Sequence, residues 1–285
     1  MNKFLSFLLM CCLASASASD RQSEVKVRSG DGTLIKVWVM HPQGLSSETQ
    51  TRPVVVALHG CGGMYATLGP RKGELNARHQ GMSDLLLAQG YSVVWPDSFS
   101  DRGESSLCSQ KYAQRKIKQS HRRDDVNGVL AWMSQQTWVD SRKTALLGWS
   151  HGGSAVLAAT DKRVISVQNR TLQPDVAIAF YPGCAEALQS GYEPNVELMM
   201  LLAELDDWTP PGPCLALANR VQAKVNVYAK SYHDFDNPVG SVKLRTDVPN
   251  GLYPGQGVHV GRNPETGPQA WKDVTDFLAQ RWASK

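Results

Sequence analysis

Residues 143–154, KTALLGWSHGGS, constrain the fold of this chain more than any other stretch. Thr144 to Leu147 reads as a strand, and Ser154-Ala155-Val156-Leu157-Ala158-Ala159 as a helix of small apolar residues. Between them lies Gly148-Trp149-Ser150-His151-Gly152, a G-x-S-x-G pattern. A strand that turns this sharply into a helix needs glycine on both sides of the serine, and the turn lifts the hydroxyl clear of the backbone. The pentapeptide alone is weak, because Gly and Ser are common residues. Its strand-before, helix-after setting gives it weight over an ordinary glycine-rich helix start.

The rest of the chain alternates strands with helices. Residues 24–27 and 34–40 flank Ser29-Gly30-Asp31-Gly32, a hairpin signature. Residues 53–58 form an apolar strand ending at His59-Gly60-Cys61-Gly62-Gly63, and residues 91–95 another. Helical spacing runs over 75–89, 124–136, 152–161, 215–222 and 268–282. Apolar runs at 176–180, 196–202 and 225–228 read as further buried strands. Such strands separated by helices predict a mostly parallel sheet, covered on both faces and joined by right-handed crossovers. No internal repeat or low-complexity linker interrupts the pattern, so residues 19–285 are expected to form one domain.

The first eighteen residues differ from the rest. Lys3, an apolar core from Phe4 to Leu13 and an Ala-x-Ala site ending at Ala18 read as a signal peptide. The apolar core is too short for a stable membrane anchor, and no later run spans a membrane. Export implies a periplasmic or secreted chain. Its loss removes only Lys3 among the charges, so the formal charge goes from +4 to +3, too mild to argue for nucleic acid. The densest basic run, from Lys111 to Arg123, is expected to be a solvated approach to a helix. Cleavage leaves Cys61, Cys108, Cys184 and Cys214, an even number that implies two disulfides with three possible connectivities.

Ser150 needs partners. A serine hydroxyl is a poor nucleophile unless a histidine takes its proton, and a carboxylate must hold that imidazole in the right tautomer. On this kind of sheet the expected chain order is Ser, then acid, then His. Asp206 follows the strand at 196–202 in the pattern D-x-x-T-P, with Asp207 beside it as the other claimant. His233 follows the strand at 225–228; His259, in a Gly-rich loop, is the reserve base. Developing negative charge needs two fixed N–H donors. The backbone N–H of His151 and that of Cys61 are the candidates. Trp149, Tyr181, Trp208 and Tyr232 flank these segments and are candidate pocket residues.

The segments HGCGG, WPDSF, RGE, GWSHGG, FYPGC, DDWTP and YHDFD resemble the dienelactone hydrolase family of the α/β-hydrolases. The likeness runs from about Lys36 to the last helix. It implies an α/β-hydrolase fold and a triad of Ser150, Asp206 and His233. Founding members carry cysteine where this chain has Ser150, and a glutamate in the loop that here reads HGCGG. Those departures favour serine-ester chemistry over dienelactone itself. Only about fifteen residues separate the strands at 176–180 and 196–202, where larger relatives insert a lid, so no large lid is expected. The α/β-hydrolase sheet order also places Cys61 and Cys108 after neighbouring strands, and Cys184 and Cys214 on the other flank. It therefore implies the pairs Cys61–Cys108 and Cys184–Cys214. The expected activity is hydrolysis of a small-molecule carboxylic ester or lactone, with no metal and no cofactor. A serine peptidase or amidase, or a non-catalytic protein of the same shape, is the alternative.

Overall fold

The computed structural model describes residues 22–43 and 50–283; the expected signal peptide lies outside them. Eight strands form one sheet: β1 (Gln22–Arg28), β2 (Leu34–Met40), β3 (Arg52–Leu58), β4 (Ser92–Pro96), β5 (Val139–Trp149), β6 (Val176–Phe180), β7 (Glu197–Ala203) and β8 (Lys224–Tyr228). Their order is β1-β2-β4-β3-β5-β6-β7-β8. The hairpin β1–β2 and the β2–β4 pair are antiparallel, and every pair from β4 to β8 is parallel. This is the α/β-hydrolase architecture.

Among the described residues seven α-helices accompany the sheet: α1 (Ala77–Ala88), α2 (Gln119–Met133), α3 (His151–Thr160), α4 (Ile165–Gln168), α5 (Ala185–Ser190), α6 (Pro211–Val221) and α7 (Thr266–Ala283). The period-2 alternation of β3 divides the core. Val54, Val56 and Leu58 pack with Val126, Val129 and Leu130 of α2, Val156 of α3 and Leu217 of α6. Val55 and Ala57 face Met82 and Leu86 of α1 and Val274 and Leu278 of α7. Each such Val or Leu stabilises by about 1.5–3 kcal/mol relative to exposure, which is why these strands are apolar on both faces.

Several boundaries differ from the sequence expectation. The strand expected at 225–228 is not fully buried: β8 lies at the edge of the sheet, and Val227 is half exposed. Helix α2 starts before Asp124, and the basic run that leads into it is not simply solvated. Arg122 is fully buried and Arg115 nearly so, each turned inward. The Gly-rich loop after His233 carries a two-stranded antiparallel sheet, β9 (Lys243–Arg245) with β10 (Val258–Val260), pinned by a bridge between His233 and Val260.

Cys61 is bonded to Cys108 and Cys184 to Cys214. Two buried bridges are the chemistry of an oxidising, non-cytoplasmic environment. Among the described residues no helix is long and apolar enough to cross a membrane. The strand ends that matter share one edge of the sheet. Cys61 follows β3, Ser150 follows β5, Asp206 follows β7 and His233 follows β8.

Candidate active site

Ser150 sits between the last residue of β5 and the first of α3, at φ 54° and ψ −114°. That conformation is costly for a residue with a Cβ and persists only where the surroundings over-determine it. Here its N–H donates to the Phe180 carbonyl at 2.9 Å. The flanking glycines are required by close approach rather than by unusual dihedrals. A Cβ on Gly148 would lie 2.2 Å from the Gly152 carbonyl oxygen, and one on Gly152 would lie 2.0 Å from that of Leu58. The strain of the elbow is held by the serine itself.

His233 Nε2 stands 2.9 Å from Ser150 Oγ, and His233 Nδ1 stands 2.7 Å from Asp206 Oδ2. The other oxygen of Asp206 accepts from the backbone N–H groups of Trp208 at 2.9 Å and Thr209 at 2.8 Å. Those bonds explain the D-x-x-T-P pattern: the loop wraps round its own first carboxylate. The Thr209 hydroxyl stands 3.0 Å from both Asp206 Oδ2 and the Tyr181 carbonyl oxygen, a contact that the threonine of that pattern could have signalled. The imidazole is held between Tyr181 and Trp208, at ring separations of 4.5 and 4.7 Å. Burial alone would depress the ionisation of His233. The charge of Asp206 and its hydrogen bond, helped by Asp234, outweigh burial and leave it above the ordinary histidine value.

The other histidines are occupied elsewhere. His259, the reserve base, pairs with Asp207 at 2.6 Å, and its ring lies tilted against that of Tyr232 at 5.0 Å. His121 accepts from the Lys118 N–H at the start of α2. His59 and His79 are fully buried. The His151 ring lies 3.0 Å from Arg122, whose guanidinium also donates to the His59 carbonyl at 3.0 Å. Burial, then the charges of Arg122 and Arg115, holds the His151 ring far below the ordinary range, so it stays neutral. Its backbone N–H heads α3, where no earlier turn of the helix can use it. Cys61 lies on the facing loop, fixed by its bridge to Cys108 and by a 2.7 Å bond from the Leu107 N–H to its carbonyl oxygen.

A cleft of about 920 Å³ opens over Ser150 and is bordered by Cys61, Tyr112, Arg115, His151 and Trp208. Of the four aromatic pocket candidates, Trp208 alone lines it. Trp149 and Tyr181 are fully buried beneath the elbow, and Tyr232 turns to His259. The connection between β6 and β7 carries only the six-residue α5, so no large lid is inserted there among the described residues. Among the described residues no group of three or more His, Cys, Asp or Glu side chains could hold a metal ion. Sequence reasoning missed Arg122 and Thr209, and also Arg78 and Asp236. The buried Arg and Asp lack any periodic signal.

Solved structures share this architecture. A dienelactone hydrolase-like promiscuous phosphotriesterase from metagenomic libraries matches at a TM-score of 0.62 and 15% identity, over 91% of this chain and 98% of that one. Esterase 2 of Thermogutta terrifontis matches at 0.56 and 14%, over 94% and 97%. Dipeptidyl peptidase 4 of Porphyromonas gingivalis matches at 0.60 and 13%, over 91% of this chain but only 35% of that one. No curated protein matches the chain in sequence. The dienelactone hydrolase family model matches residues 43–282, nearly the whole of the described chain. The chain belongs to the dienelactone hydrolase family.

Proposed function

We propose that this hydrolase is an exported serine esterase that cleaves carboxylic esters or lactones through Ser150, His233 and Asp206. The observation that carries the reading is the unbroken line of contacts, 2.9 Å from Ser150 Oγ to His233 and 2.7 Å from His233 to Asp206. Ser150 Oγ attacks the carbonyl carbon while its proton passes to His233 Nε2. The N–H groups of His151 and Cys61 receive the resulting oxyanion. His233 then protonates the departing alkoxide, leaving an acyl ester on Ser150. Water attacks that ester with His233 as base, releasing the acid and restoring the serine. Asp206 holds the imidazole in the tautomer that carries its proton on Nδ1 and stabilises the charged form. The expected signal peptide and the two disulfides support export.

A panel of nitrophenyl esters, lactones, aminoacyl amides and phosphotriesters, run beside Ser150→Ala, tests the reading. Esters or lactones should be the best substrates, with activity abolished in the variant. Amides or phosphotriesters outrunning them would move the assignment to a peptidase or a phosphotriesterase.

A further inference from the structure

The site stands on a buried ionic cluster that takes no part in the acyl-transfer steps above. Asp236 is fully buried, and its two oxygens are shared among three donors. Oδ1 accepts from the Tyr181 hydroxyl at 2.5 Å; Oδ2 accepts from Trp149 Nε1 at 2.8 Å and Trp271 Nε1 at 3.3 Å. Arg78 of α1 donates from one nitrogen to the Tyr181 hydroxyl at 2.9 Å and to Asp234 at 2.5 Å, and stands 3.7 Å from Asp236. Trp149 is the residue before Ser150, and Asp234 is the residue after His233. The ring of Tyr181 is one of the two walls that hold the imidazole.

The backbone adds a second observation. Ser150, Tyr181 and Asp234 all adopt positive φ, at 54°, 33° and 63°. Each such conformation costs on the order of 1–3 kcal/mol and relaxes unless it is held. All three belong to the cluster or adjoin a member of it. The Asp236 carboxylate reaches the elbow through Trp149 and the imidazole wall through Tyr181. Arg78 extends the same network to the histidine loop through Asp234.

We propose that Asp236 and Arg78 are positioning residues which, through Trp149, Tyr181 and Asp234, fix the alignment of Ser150 Oγ with His233 Nε2. This rests on the Ser150 reading above. A small misalignment of reacting groups costs turnover far more than binding. Two variants weaken the cluster with little change of shape. Asp236→Asn removes the charge that faces Arg78. Tyr181→Phe keeps the ring against the imidazole and removes only the hydroxyl that joins Arg78 to Asp236. Asp273→Asn serves as the comparison; its carboxylate accepts from the Tyr228 hydroxyl at 2.6 Å, away from Ser150.

The measurement is kcat and KM on a nitrophenyl ester, counted per active site titrated with a fluorophosphonate. Asp236→Asn should lose at least about tenfold in kcat and Tyr181→Phe about fivefold, with KM within about threefold. The rate of phosphonylation of Ser150 should fall in parallel. Asp273→Asn should lose stability without such a fall in turnover per site. Should Asp236→Asn fail to fold, Tyr181→Phe decides the matter alone. The proposal is overturned if turnover per titrated site stays within about twofold of the parent, if the loss lies in KM alone, or if Asp273→Asn loses as much. Activity or labelling that survives in Ser150→Ala would instead sink the reading of the site itself, whatever these variants do.

Discussion

Asp206 and Asp207 are adjacent in the chain, yet each holds a different histidine: Asp206 takes His233 at 2.7 Å and Asp207 takes His259 at 2.6 Å. Only the first pair leads to Ser150. The second ties the β9–β10 excursion to the acid loop, because Asp207 also accepts from the His259 N–H at 2.8 Å and its carbonyl from the Leu252 N–H at 2.7 Å. Asp206→Asn should therefore lower kcat on the order of a thousandfold, since the imidazole loses its orienting charge. Asp207→Asn should cost less than about tenfold and should chiefly loosen the excursion. Steady-state kinetics on one ester compare the two directly, and a larger loss in Asp207→Asn would reverse the assignment.

Turnover requires neutral His233, so activity should fall as pH drops through its ionisation. Burial pulls that value down, whereas Asp206 and Asp234 together push it above the ordinary 6.5. The acid limb of kcat/KM should accordingly lie above pH 6.5. Stability moves the other way. The paired, charged His233 contributes fully below the unfolded value and loses that contribution as pH rises through the folded one. Asp234→Asn removes one of the raising charges, so the limb should shift to lower pH. A limb below 6.5 in the parent, or an upward shift in the variant, would count against His233 as the base.

The Cys184–Cys214 bridge closes thirty residues of chain around the acid loop. Loop-closure entropy puts its contribution at about 3–4 kcal/mol. Replacing both cysteines with alanine should lower Tm by roughly 10 °C. Calorimetry of that double variant beside the parent gives the answer, and an unchanged Tm would show the loop to be held by other contacts.

Close packing at the elbow makes a further demand. A Cβ on Gly152 would meet the carbonyl oxygens of Leu58 at 2.0 Å and His59 at 2.6 Å, and both of those oxygens are backbone. Gly152→Ala should therefore force β3 and α3 apart and destabilise by about 3 kcal/mol or more. Denaturant unfolding measures the loss; a variant as stable as the parent would contradict the close approach.

The fold was legible where a strand is apolar on both faces or a helix carries a regular stripe. The strands leading to Ser150 and Asp206 are of that kind; the edge strand before His233 is only partly buried, yet its valines still marked it, so the three residues could be named from strand ends and chain order. Arg122 was not legible, because a basic residue beside Arg123 and Asp124 reads as solvated until a facing helix supplies His151 as its acceptor. Tyr181 and Trp149 read as pocket aromatics but serve as buried donors to Asp236, a contact between residues 55 and 87 positions apart. The β9–β10 pair lay hidden in glycine-rich sequence. Three-residue strands hold too few side chains to show a period.

In the proposed mechanism Ser150, activated by His233, is the nucleophile. Labelling the folded protein with a fluorophosphonate and mapping the modified peptide by mass spectrometry tests it most directly. One adduct should form, on Ser150, and it should block ester hydrolysis and be absent from Ser150→Ala. An adduct on another residue, or none while ester hydrolysis proceeds, would rule Ser150 out as the nucleophile.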